Sequence, residues 1–203
     1  ALALLAARGV ARVTLVGACS GAHLALHAAR EETAIEGMVL INLQRFVWRD
    51  GDSLEAAMRG EYRSSSAYAD LIRRRDTWRR IFGGEIKVGS IALELARRLV
   101  RRTIAAGHRR LVVPPAVRWL RELGARGCRT LFVFGTDDGG RDEFAAHVGA
   151  ESEVADLCPG TDLVLIERTD HNLSPRDARR RLTEIVVDYL ERAPRRGASR
   201  FSP

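Results

Sequence analysis

Residues 13–30 constrain this chain more than any other stretch. They read as a β-branched run over 13–16, a corner Gly17-Ala18-Cys19-Ser20-Gly21, and an Ala/Leu-rich segment over 22–30. β-Branched residues fit a strand and Ala and Leu a helix, so strand must become helix within the corner. The two glycines flank Cys19 at −2 and +2, where strand and helix crowd each other and a missing side chain gives relief. The residue between them is expected in a strained conformation, its side chain pushed out above the sheet. Ser20 fits this role less well, because the glycines would then fall at −3 and +1. It reads instead as the first residue of the helix. Nucleotide loops do not fit either. A dinucleotide fingerprint needs glycine where Cys19 stands, and a Walker loop needs a Gly-Lys-Ser/Thr that is absent.

Strand, two-glycine corner and helix together resemble the nucleophile elbow G-x-S-x-G of the α/β-hydrolase superfamily, with Cys19 in place of the serine. The resemblance implies an α/β fold with a mostly parallel sheet flanked by helices. Several strands and an oxyanion-hole loop precede the elbow strand in that fold, and here only about a dozen residues do. The expectation is therefore a chain lacking the fold's N-terminal strands, its sheet completed by a missing segment or a second chain. Otherwise the elbow strand has an open edge.

The rest of the chain supports alternating strand and helix. An opening helix over 1–8 stops at Gly9. The elbow strand covers 12–16 and its helix 20–30. The near-continuous apolar run over 35–41 suits a strand buried on both faces, and strand–helix–strand at this spacing makes a parallel unit. Residues 43–115 break the rhythm with helical patterns over 53–59, 67–78 and 90–102, and are read as an inserted helical cap. The rhythm returns with a helix over 116–126, a strand over 129–134, a turn over 135–140, a helix over 141–148, and a last strand over 163–166. A final helix runs to 192, with Ser174 as N-cap and Pro175 as its first residue. The core is thus assigned to 1–42 and 116–193. The tail over 194–203, rich in Arg, Ser, Gly and Pro, is expected to be disordered.

Charge follows this division. The net charge is +7, with 32 Arg and a single Lys, Lys87. Residues 43–115 hold 16 basic and 8 acidic side chains, so the excess sits in the cap. It reads either as solvated helix faces or as a collar for an anionic substrate or carrier. Beyond Arg49 only Tyr62, Tyr68, Trp78 and Phe82 interleave with these charges, which argues against a nucleic-acid surface. No apolar run reaches the ~18–20 residues of a membrane span, and the opening 1–7 segment has no charged region ahead of it and is not read as a signal peptide. Three cysteines, Cys19, Cys128 and Cys158, without C-x-x-C spacing argue against a disulfide framework or structural zinc site and for a reducing, cytoplasmic setting.

An elbow nucleophile needs a base and a group to orient that base. The resemblance implies the chain order nucleophile, acid, histidine, each just after a strand. His171 follows the last strand. In the turn after the third strand, the family pattern Gly-x-x-Asp counted from Gly135 falls on Asp138, with Asp137 as runner-up. His23 and His27, four apart on the elbow helix, would share one face, but Leu24 replaces the Glu of H-E-x-x-H and no third zinc ligand is evident. His108 and His147 read as exposed, and the acidic residues Asp137, Asp138, Asp142 and Glu143 do not fit calcium-loop spacing.

The expectation is a Cys19–Asp138–His171 triad, with the Ser20 N–H as one oxyanion donor and neither metal nor cofactor. A thiolate favours ester or thioester cleavage, or acyl transfer, on a small-molecule or carrier-bound acyl substrate. Residues 42–48 are expected to touch that substrate. The alternative reading is a catalytically silent scaffold that binds a ligand or partner through its cap.

Overall fold

A computed structural model of the chain describes residues 1–48 and 113–192. The helices expected over 53–59, 67–78 and 90–102 and the tail over 194–203 lie outside the described residues.

Four strands form one parallel sheet in chain order: β1 (Val13–Ala18), β2 (Ile35–Ile41), β3 (Arg129–Gly135) and β4 (Thr161–Ile166). The ladder aligns Ala18 with Ile41, Ile41 with Val133, and Val133 with Val164. The carboxyl ends of the four strands therefore share one edge. Helix α1 (Leu2–Ala7) precedes β1, α2 (Ser20–Glu31) joins β1 to β2, and α3 (Pro115–Ala125) enters β3. Between β3 and β4 lie α4 (Gly140–His147), a 3₁₀ turn (Glu151–Glu153) and α5 (Val154–Leu157); α6 (Arg176–Glu191) closes the chain.

Strand alternation sorts β2 and β3 into two cores. Met38, Leu40, Phe132 and Phe134 face one side, where they meet Leu26 of α2, Leu120 of α3 and Phe144 of α4. Val39, Ile41, Leu131 and Val133 face the other, against Ile185 and Tyr189 of α6. Leu43 and Phe46, just past β2, are fully buried in the first core. Phe132 and Phe144 meet edge to face at 5.0 Å between centroids, a favoured aromatic geometry. Truncating Phe132 to alanine is expected to cost about 3–5 kcal/mol.

β1 differs from the two central strands. It pairs with β2 alone among the described strands, and Val16 is 51% exposed. Only Val13 and Leu15 of this strand pack, partly, on the first core.

Strand and helix boundaries follow the sequence with instructive differences. β1 continues through Gly17 and Ala18, because Cys19 still donates its N–H to Ile41 O at 2.9 Å. The short helical stretch over 151–157 is an element not assigned from the sequence; among its residues Val154 is buried. Pro175 stands at the N-cap of α6, with extended ψ of 138°, not inside its first turn. Ser174 does not cap the helix. Its N–H and hydroxyl both donate to the Asp170 carboxylate, at 3.1 and 3.0 Å. His147 is not on an exposed face: it stacks on Phe46 and bonds to Glu143.

Candidate active site

The corner after β1 holds Cys19 at φ 52° and ψ −116°, a left-handed φ that costs a non-glycine residue of order 1–3 kcal/mol. Two helical N–H groups, of Ala22 and His23, already bond to Cys19 O, so the helix begins immediately. The Cys19 side chain is exposed. Of the two flanking glycines, one is dictated by contact. A Cβ on Gly17 would lie 2.3 Å from Gly21 O. A Cβ on Gly21 would meet nothing within 4 Å, so among the described residues the expected crowding acts on Gly17 alone. Ser20 opens α2, and the first N–H groups of a helix have no intrahelical acceptor.

Asp138 and His171 come together at the carboxyl ends of β3 and β4. His171 Nδ1 lies 2.6 Å from Asp138 Oδ2; the His171 side chain is 9% exposed and Asp138 is fully buried. A carboxylate accepts, so Nδ1 carries the proton. That tautomer puts the imidazole's basic lone pair on Nε2. Asp137, the runner-up, instead donates its backbone N–H to Thr169 O. The Asp138 carboxylate is further held by the Gly140 N–H, 2.7 Å from Oδ1. Gly140 is required here, because a Cβ would fall 2.4 Å from Leu43 O and 2.6 Å from Asp138 Oδ1.

The loop after β2 completes the cluster. Gln44 Nε2 donates to Asp138 Oδ1 at 2.9 Å and lies 3.2 Å from Oδ2. Buried Asn42 bridges the two other loops: its Nδ2 donates to His171 O at 2.6 Å and its Oδ1 accepts the Gly135 N–H at 3.0 Å. Neither amide was assigned a role in the sequence beyond membership of the 42–48 segment. Two amides, Asn42 and Gln44, close behind a near-continuous apolar strand were the available signal.

Cys19 reaches the same edge through β2. Its N–H bonds to Ile41 O, while the next residue, Asn42, bonds to His171 O. β1 and β2 are separated by one strand spacing, about 4.8 Å. The nucleophile candidate and the imidazole loop are thus tethered to adjacent residues, Ile41 at the end of β2 and Asn42 just past it.

The other candidates serve structure. The His23 and His27 rings lie 4.3 Å apart, and each donates to a backbone carbonyl, Arg45 O at 2.9 Å and Phe46 O at 3.0 Å. His27 Nδ1 then accepts from Arg30 at 3.0 Å. Burial pushes the His27 pKa down, against the Phe46 bond, which raises it; neighbouring His23 and Arg30 lower it further. Among the described residues no group of three His, Cys, Asp or Glu side chains could hold a metal ion. Cys128 and Cys158 are buried; burial raises the Cys128 thiol and pushes Cys158 up to about 11. Burial alone would raise the Asp170 carboxyl, but its hydrogen bonds, chiefly from Ser174, outweigh this and hold it low.

No protein-family model matches the sequence, and no curated protein does. Solved structures similar to this chain include a carboxylesterase, a meta-cleavage product hydrolase and NosK. A carboxylesterase structure from the thaumarchaeon Nitrososphaera gargenis is 15% identical, with TM-score 0.46, covering 94% of this chain and 70% of its own. A meta-cleavage product hydrolase from Pseudomonas fluorescens is 16% identical, with TM-score 0.46, covering 94% and 68%. NosK from Streptomyces actuosus is 19% identical, with TM-score 0.41, covering 94% and 73%. The fold itself is the parallel, helix-flanked α/β sheet that the elbow resemblance implies. Among the described residues no helix is long and apolar enough to cross a membrane.

Proposed function

We propose that this chain is an acyl hydrolase or acyltransferase acting on an ester or thioester through Cys19, His171 and Asp138. The supporting observation is the buried Asp138–His171 hydrogen bond at 2.6 Å, on the sheet edge where a strained, exposed Cys19 ends β1.

The chemistry follows from these positions. His171 Nε2 takes the proton of the Cys19 thiol, and the thiolate attacks the acyl carbon. A C–S bond forms, and the carbonyl oxygen gains charge beside the N-terminus of α2, where the Ser20 N–H is one donor. The C–O or C–S bond to the leaving group then breaks, and the imidazolium returns its proton to that group. Water or a second acceptor, deprotonated by His171, attacks the thioester, and Cys19 leaves as thiolate. Asp138 keeps Nδ1 protonated and steadies the imidazolium.

A thioester link to the enzyme suits transfer as well as hydrolysis. The basic excess in 43–115 favours an anionic substrate or carrier, such as an acyl group on a phosphate-bearing thiol. Incubation with an acyl-thioester should add one acyl mass to the intact protein, lost in Cys19→Ala. Unchanged acylation of that variant would discard the mechanism. No turnover or labelling across nitrophenyl esters and acyl-thioesters would favour a silent binding scaffold.

A further inference from the structure

We propose that Gln44 is a positioning residue for the Asp138–His171 pair, an assignment that rests on the triad reading above. A buried carboxylate must be supplied with donors, because nothing else offsets its lost hydration. Asp138 receives three: His171 on Oδ2, the Gly140 N–H on Oδ1, and Gln44 Nε2 on Oδ1. Gln44 is the one side-chain amide among them. Its orientation is dictated, since a carboxylate can accept only from the NH₂ end. Gln44 Nε2 also lies 3.0 Å from His171 Nδ1. Two donors cannot bond each other, so with Nδ1 protonated this approach is a packing contact, and Gln44 acts on the imidazole through the Asp138 carboxylate.

The loop that carries Gln44 is fixed on three sides. On α2, His23 and His27 bond to the carbonyls of Arg45 and Phe46. On α4, Glu143 accepts the Phe46 N–H at 3.1 Å and pairs with Arg45 at 3.3 Å. Beneath it, Phe46 is fully buried between Phe132 and Phe144. Gln44 therefore meets Asp138 from a preset position, and Asn42 does the same for the His171 backbone. The donor acts before substrate arrives, which is the requirement for orienting a base.

The experiment uses the full chain with Gln44→Met, which keeps length and volume but removes the donor, and Gln44→Glu, which turns an acceptor toward Asp138. With a nitrophenyl ester, Gln44→Met should lower kcat/KM about 10- to 100-fold, the range of one hydrogen bond to a charged group. The loss should fall on kcat, with KM within about twofold, and Gln44→Glu should lose more. Proton NMR gives a second readout: the His171 Nδ1–H resonance, assigned by its loss in His171→Ala, should shift or broaden in Gln44→Met. A raised KM with unchanged kcat would make Gln44 a substrate contact and overturn the proposal, as would wild-type kinetics with an unmoved resonance. If the wild type turns over no ester or thioester, the enzyme reading fails, while the resonance still decides what Gln44 does to the imidazole.

Discussion

Cys19 and Asp138 stand at the same edge of one sheet in opposite surroundings. Cys19 is exposed, at a left-handed φ, just past β1, a strand that among the described strands pairs on one side only. Asp138 is fully buried, at the end of a strand packed on both faces, with its oxygens occupied by three donors. One region stores strain and reaches outward; the other suppresses motion. The pairing suits covalent catalysis, where the nucleophile must meet a substrate and the base must already be oriented.

The largest effects should come from breaking either side. Cys19→Ala should remove turnover and covalent acylation, a loss of at least about 10⁴-fold in kcat/KM. Asp138→Asn keeps the shape but favours the wrong imidazole tautomer, and should cost about 10³–10⁴-fold in kcat. Mass spectrometry of the iodoacetamide-treated native protein should find the label on Cys19. Cys128 and Cys158 should react at least about 100-fold more slowly until denaturant exposes them, because burial keeps them as thiols. Equal labelling of all three would remove the contrast between an open corner and a closed core.

Two smaller tests sharpen the comparison within the corner itself. Gly17→Ala drives a Cβ into Gly21 O and should cost about 2–3 kcal/mol in denaturant unfolding. Gly21→Ala should be neutral, or stabilising by about 0.5 kcal/mol as a helical Gly-to-Ala change. Equal losses at both would restore the symmetric crowding that the motif alone suggests. The smallest effect concerns the loop holding Gln44. Since His27 has a folded pKa below its ordinary 6.5, the unfolded chain binds the proton more readily. Stability is therefore present at neutral pH and is lost as pH falls through 6.5 toward the folded value. The urea midpoint should drop across that window, and less so in His27→Gln.

The periodicities already carried the strand and helix order, because β2 and β3 are apolar runs that only a sheet covered on both faces can bury. The corner was legible because a β-branched run, two glycines flanking one residue and a helix-forming segment follow one another within residues 13–30. Chain order and the Gly-x-x-Asp pattern pointed to Asp138 and His171, two residues that the structure brings within 2.6 Å of each other. The pattern favoured Asp138 over Asp137, and in the folded chain it is Asp138 whose carboxylate meets His171. The structure also gave His23 and His27, which the sequence had not favoured as zinc ligands, the role of anchors for the loop after β2, and it placed His147, expected to be exposed, against Phe46.

By itself the sequence determined what is local: which segments are strand or helix, where the backbone must bend, and which residue sits at the bend. Tertiary structure decided what is non-local. Gln44, Asp138 and His171 are separated by up to 127 positions, and no pattern within a short window can report a hydrogen bond between them. Local preference is written in neighbouring side chains, whereas donor and acceptor meet only after the parallel sheet has brought its carboxyl ends together.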